Sequence, residues 1–198
     1  VWEARLRCPG LVVVPPRYGR YLELARQVRA LYLQYTDQVE PFGLDESWLD
    51  VGGSAGLFGD GRQIADTLRT RIKREIGLTV SVGVSFNKVF AKLGSDYKKP
   101  DATTVITREN YRQVVWALPV GDLMYVGPAT TTKRGWYGIR SIGALARASP
   151  AFLHTVLGRV GVMLWRFANG LDCSGVSACC AVPPVKSVGN STTAPRDL

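Results

Sequence analysis

The strongest constraint on the fold of this chain is a change of pattern at Pro119. Before it, strand-like and helix-like segments alternate. Leu11 to Val14 is a short apolar run closed by Pro15 and Pro16, where backbone donors are lost, and it reads as a buried strand. Tyr21, Leu24, Ala25, Val28, Leu31, Tyr32 and Tyr35 recur at three- and four-residue spacing and mark one face of a helix. Val39 to Val51 reads as two short strands about a tight turn. A second helix, capped by Asp60, carries Ile64, Leu68, Ile72 and Ile76 inward and ends at Gly77. Leu78 to Ser85 alternates as a strand, a helix runs from Asn87 to Lys98, Thr103 to Thr107 is a further strand, and Glu109 to Leu118 a further helix.

After Pro119, Gly121, Gly127, Gly135, Gly138, Gly143, Gly158, Gly161 and Gly170 punctuate short helical segments. The class that fits is α+β: a mixed sheet with helices packed on it over residues 1–118, then a small all-helical domain over 119–171. Residues 172–198 are Ser, Gly, Pro, Thr and Cys with little periodicity and read as a linker. With 198 residues, 46% of them hydrophobic, the chain has enough apolar material for a core. No apolar run approaches the roughly 18 residues of a membrane span.

Charge is divided unevenly. The formal net charge is +9, but residues 1–60 hold 6 basic and 8 acidic residues, whereas 61–198 hold 19 and 8. A basic body with an acidic head fits either a solvated basic surface or a polyanion-binding protein that reserves carboxylates for a separate task such as holding metal. Cys8, Cys173, Cys179 and Cys180 lack zinc-finger spacing, so reduced thiols in the cytoplasm are expected. The first residue is Val1, which reads as a piece of a longer protein. His154 is the sole histidine and lies among Phe152, Leu153, Val156 and Leu157, so no Ser–His or Cys–His triad is supported. A P-loop is absent from the sequence.

Three features carry chemistry. Asp45 and Glu46 adjoin a turn at a strand end, where both carboxylates reach one ion; they suit Mg²⁺, or form an exposed acidic turn. Ser95, Asp96, Tyr97, Lys98, Lys99 and Pro100 close a helix, and Lys99 is either a dipole-complementing cap or a point charge for a triphosphate. Val126, Gly127, Pro128, Ala129 and Thr130, followed by Lys133 and Arg134, resemble the turn of a helix-hairpin-helix, and Leu157, Gly158, Arg159, Val160 and Gly161 look like a second copy. Such turns admit a phosphate to the backbone amides, although ordinary helix ends use glycine in the same way.

In this order, the motifs resemble the Y-family translesion DNA polymerases, most closely the bacterial DNA polymerase IV type. Leu6 to Arg17 is similar to the family segment leading from fingers to palm. Val39 to Asp50, reading VEPFGLDESWLD, is similar to its second carboxylate motif. Ser85, Asn87, Lys88, Ala91, Lys92, Ser95, Asp96, Lys99 and Pro100 match the helix that brings a lysine to the incoming nucleotide, and Lys186 to Leu198 resembles the start of the little-finger domain.

The resemblance implies a partial palm over 1–118, a thumb over 119–171 and, in 172–198, a linker toward a little finger. It implies lesion-tolerant, template-directed DNA synthesis, a nucleotidyl transfer using deoxynucleoside triphosphates, primer–template DNA and two Mg²⁺ ions. Asp45 and Glu46 would be the metal-holding catalytic carboxylates, and Ser95, Asp96 and Lys99 would serve the nucleotide. Gly127, Ala129, Thr130, Lys133, Gly158, Arg159, Gly161 and Lys186 would meet DNA, with Ala129 standing where the family often has a glycine. A sliding-clamp contact would lie beyond Leu198. The family's first aspartate strand and its fingers would precede Val1, so the expectation is that these residues alone are inactive. A UmuC-like subunit of a mutagenic polymerase and a non-catalytic helix-hairpin-helix DNA-binding module are the competing readings.

Overall fold

A computed structural model describes residues 1–127, 138–179 and 187–189. Helices α1 (Trp2–Arg7) and α2 (Tyr18–Tyr32) precede a hairpin of β1 (Val39–Phe42) and β2 (Glu46–Leu49). Then follow α3 (Ala55–Phe58), α4 (Gly61–Glu75), β3 (Val82–Ser85), α5 (Lys88–Tyr97), β4 (Thr103–Ile106) and α6 (Tyr111–Val115). Helices α7 (Ile142–Arg147), α8 (Pro150–Leu157) and α9 (Arg159–Ala168), with 3-10 turns at Gly52–Ser54 and Val120–Asp122, complete the described elements. The α+β expectation holds, and from α2 to α6 the elements follow the order read from the sequence except for the short α3, which that reading did not include.

The local chemistry explains the boundaries. Asp60 and Gln63 form a reciprocal capping box at α4, each side-chain oxygen accepting the other's backbone N–H at 2.8 Å. Asn87 caps α5 by accepting from Phe90 N at 2.8 Å. Between β1 and β2 the chain reverses at Gly43, whose φ of 76° lies in the left-handed region.

Two expectations need correction. Leu11 to Val14 forms no strand: Val12 and Val14 are 80% and 73% exposed, because the run has no ladder partner and no apolar surface against it among the described elements. The strands also do not join in one sheet. β1 pairs antiparallel with β2, from Val39 opposite Leu49 to Phe42 opposite Glu46, whereas β3 pairs parallel with β4, from Val82 opposite Thr103 to Ser85 opposite Ile106. Leu78 to Ser81 stays outside β3, leaving a ladder of four residues.

Two apolar clusters hold these elements. Val28, Leu31 and Tyr35, from α2 and the turn after it, pack on Ile64, Leu68 and Ile72 of α4. A larger cluster runs from Val89, Phe90 and Leu93 of α5 through Ile106, Val115 and Val120 to Ile142, Leu145, Leu153, Leu164 and Ala168. β3 and α5 approach closely at Gly83, where a Cβ would fall 1.8 Å from the Ala91 carbonyl oxygen. α4 is tied to β4 by Thr103 donating to Asp66 at 2.6 Å and by Arg69 and Lys73 converging on Asp101 at 2.8 and 2.9 Å. No described helix is long and apolar enough to cross a membrane.

Candidate functional site

The β1–β2 hairpin presents one polar face to α5. Alternation along a strand puts Glu40 and Phe42 on that face of β1, and register places Trp48 and Glu46 opposite them. On α5, Lys88 and Lys92 lie four residues apart and therefore project together toward the hairpin. Lys88 Nζ pairs with Glu40 at 2.6 Å and sits 5.2 Å from the Trp48 ring centre, while Trp48 Nε1 donates to the Lys88 carbonyl at 3.1 Å. One turn on, Lys92 Nζ pairs with Glu46 at 2.9 Å and with Asp96 at 2.6 Å, and Asp96 in turn takes Lys99 at 2.6 Å. A chain of alternating charge thus runs Glu46, Lys92, Asp96, Lys99.

Electrostatics follow from this order. Burial alone would lower the Lys92 ammonium, but Asp96 and Glu46 outweigh it and hold it above the usual lysine range. Burial would raise the Asp96 carboxyl, yet Lys92 and Lys99 keep it below the usual range. The same contest is settled the same way at Glu40, where Lys88 and the Ser177 amide, 2.7 Å away, overcome burial. Ser177 belongs to the segment after α9, which also reaches back through Cys179 N to the Asp37 carbonyl at 3.1 Å.

Asp45, Glu46, Lys92, Ser95 and Lys99 all line one cavity of about 830 Å³ between the hairpin, α2, α4, β3 and the end of α5. Asp45 is exposed in the turn, and Glu46 opens β2 half-buried. The Ser95 hydroxyl donates within its own helix to the Lys92 carbonyl at 2.7 Å. The far wall includes Tyr32, whose phenol burial pushes up to about 12, and Arg29, whose buried Nε has no hydrogen-bond partner. Two adjacent carboxylates fit a divalent ion that completes its shell with phosphate oxygens, and no cluster of three candidate ligands occurs among the described residues.

The glycine motifs lie elsewhere. Gly158, with φ 65°, ends α8 and starts α9, and exposed Arg159 is the first residue of α9. Gly161 is buried where the two helices cross; a Cβ there would stand 2.3 Å from the Leu153 carbonyl oxygen, so helix packing already demands this glycine. Gly127 is exposed before the undescribed stretch. Ala129, Thr130, Lys133 and Lys186 lie outside the described residues. Cys8, Cys173 and Cys179 are free thiols, and Cys180 is outside the described residues.

Sequence reasoning placed Lys88, Lys92 and Glu40 within the family-like motifs but gave none of them a role in the site. Their signal was present as two lysines four apart on α5 and two glutamates six apart around a turn, but only the hairpin register shows that these pairs face each other.

Comparisons with known proteins bear on the family and the fold. The family model described as impB/mucB/samB matches residues 1–96. "DNA polymerase IV" of Acetivibrio thermocellus is 55% identical over 198 residues, covering 100% of this chain and 50% of the relative. "DNA polymerase IV 2" of Bacillus subtilis is 38% identical over 200 residues, covering 100% of this chain and 48% of the relative. The chain spans about half the length of the curated relatives it matches. Among solved structures, "Crystal Structure of DinB from Sulfolobus solfataricus" superposes with TM-score 0.79 at 24% identity, covering 88% of this chain and 52% of that one. "Insertion ternary complex of Dbh DNA polymerase" gives TM-score 0.78 at 24% identity, with the same 88% and 52% coverage. At that identity the structures establish the fold.

Proposed function

We propose that the chain belongs to the Y-family of DNA polymerases and contributes the carboxylate and nucleotide-facing part of an enzyme for template-directed DNA synthesis past lesions, a reading supported by the family match and the two relatives. Its substrates are deoxynucleoside triphosphates and primer–template DNA in the cytoplasm. Residues 1–118 form the palm part and 119–171 the thumb part, with 172–198 as the connecting segment.

The observation that carries this reading is the charge chain from Glu46 through Lys92 and Asp96 to Lys99, of which Glu46, Lys92 and Lys99 line one cavity. Asp45 and Glu46 would hold two Mg²⁺, which when bound supply activation of the primer hydroxyl and stabilisation of the phosphorane. Lys92 orients Glu46 by pairing with its Oε1. Lys99, at the exposed end of the chain of charges, meets the negative charge that develops on pyrophosphate, and Asp96 holds that lysine in place until the nucleotide arrives. Ser95 contributes to the wall at the same helix end. Gly158 and Arg159 offer the amides and charge of the α9 N-terminus to a DNA phosphate. Gly127, Ala129, Thr130, Lys133 and Lys186 complete the proposed DNA contacts.

The test is calorimetric titration of a deoxynucleoside triphosphate with and without Mg²⁺, alongside primer extension on the same preparation. Asp45→Ala and Glu46→Ala are expected to remove the Mg²⁺-dependent part of binding and to lower any synthesis by about 100-fold or more, near 3 kcal/mol of lost transition-state stabilisation. Nucleotide binding indifferent to Mg²⁺ and to both substitutions would overturn the assignment and favour the non-catalytic DNA-binding reading.

A further inference from the structure

On the side of α5 away from the hairpin, aromatic rings form a ladder that ends at the surface. Phe86 lies 6.2 Å from Tyr111, and Tyr111 lies 6.2 Å from Trp116, centre to centre. Three exposed arginines cover it. Arg108 sits 4.3 Å over Phe86, Arg112 sits 5.7 Å from Tyr111 and 5.2 Å from Trp116, and Arg147 lies 5.6 Å from Trp116. They come from separate segments, the β4–α6 turn, α6 and the end of α7, and only the fold brings them into one row.

The chemistry of the row is that of an anion site. Arg69, Arg71 and Lys92 are each held by a carboxylate, whereas none of these three guanidinium groups has one within ion-pair distance among the described residues, although Arg108 acts electrostatically on the neighbouring Glu109. Arg112 Nε donates to the Tyr111 hydroxyl at 3.2 Å, which fixes that guanidinium while its terminal N–H groups remain for a phosphate, and ring contact limits the rotamers of all three. The exposed guanidinium planes also offer stacking surfaces that unpaired bases use and a closed duplex does not present.

We propose that Arg108, Arg112 and Arg147 form a contact strip for single-stranded DNA, separate from the carboxylate cavity. It lies beyond the catalytic reading and does not depend on it, since the strip needs neither metal nor triphosphate.

The test is fluorescence anisotropy of labelled oligo(dT) titrated with the full chain over a range of salt, without Mg²⁺ or nucleotide. Arg108→Gln, Arg112→Gln and Arg147→Gln combined are expected to weaken binding about tenfold and to lower the slope of log affinity against log salt by about 2, at ~0.7 per phosphate contact on a single strand. Arg108→Gln alone, at an exposed residue whose one ring contact is Phe86, is expected to lower the slope by about 0.7 with the unfolding midpoint unchanged. Unchanged affinity and slope in the triple variant would overturn the proposal. So would an equal loss on blunt duplex DNA, or loss of polyglutamate binding with oligo(dT) binding intact, which would make the strip a surface for an acidic protein.

Discussion

Lys92 Nζ stands 2.9 Å from Glu46 Oε1, which joins the carboxylate hairpin to the helix whose end carries Lys99. Removing that ammonium leaves Glu46 unrestrained and Asp96 with Lys99 alone. Lys92→Ala is therefore expected to weaken Mg²⁺-dependent nucleotide binding by about tenfold, roughly 1.4 kcal/mol, with Lys92→Arg retaining most of it. Calorimetric titration of the two variants side by side checks this; equal loss in both would point to packing around Lys92 rather than its charge.

Gly83 is the point where β3 meets α5 backbone to backbone. A methyl group there would lie 1.8 Å from Ala91 O and 2.6 Å from Ser95 N, both main-chain atoms that move only with the whole helix. Gly83→Ala is expected to destabilise by about 3 kcal/mol or more by overpacking, while Gly53→Ala, with nothing within 4 Å, stays near neutral. Urea unfolding of the two proteins separates them.

Much of this was legible in the sequence because it is local. Asp60 with Gln63, Asn87 before Val89 and Phe90, and Gly43 between two short strands each act over three or four residues, and each does what its chemistry requires. The misreading of Leu11 to Val14 has the opposite origin. An apolar run becomes a strand only when a neighbouring edge pairs with it, and nothing within the run reports whether that edge exists. The candidate site divides along the same line. Asp45, Glu46 and Lys99 stand in recognisable short motifs, whereas Lys92 gains its role from pairing across 46 positions of sequence, which spacing on α5 does not specify.

The exposure of Leu11 to Val14 has a measurable consequence. Ile72 is fully buried between α2 and α4, so Ile72→Ala is expected to cost about 2–5 kcal/mol in lost burial and cavity formation. Val12, 80% exposed, is expected to tolerate Val12→Ala within about 0.5 kcal/mol. A cost above 1 kcal/mol for Val12→Ala in denaturant titrations would show that the run packs against something in solution.

Acid should loosen the hairpin before it unfolds the chain. Lys88 and the Ser177 amide outweigh burial and hold the Glu40 carboxyl below its ordinary value of 4.5. A carboxyl whose folded value is depressed contributes stability that is fully present above the ordinary value and is lost as pH falls through the folded one. Protonation removes the charge that holds Lys88 at 2.6 Å and weakens the acceptor for Ser177 N, so the segment after α9 is released from β1. Hydrogen exchange at Ser177 and Cys179 is expected to lose protection as pH falls below 4.5, after correction for intrinsic rates, while core amides such as Leu164 stay protected. Glu40→Gln keeps an acceptor of similar shape but no charge, and is expected to reproduce the acid behaviour at neutral pH; protection that is unchanged by that substitution would place the anchor of this segment elsewhere, at the Cys179–Asp37 bond.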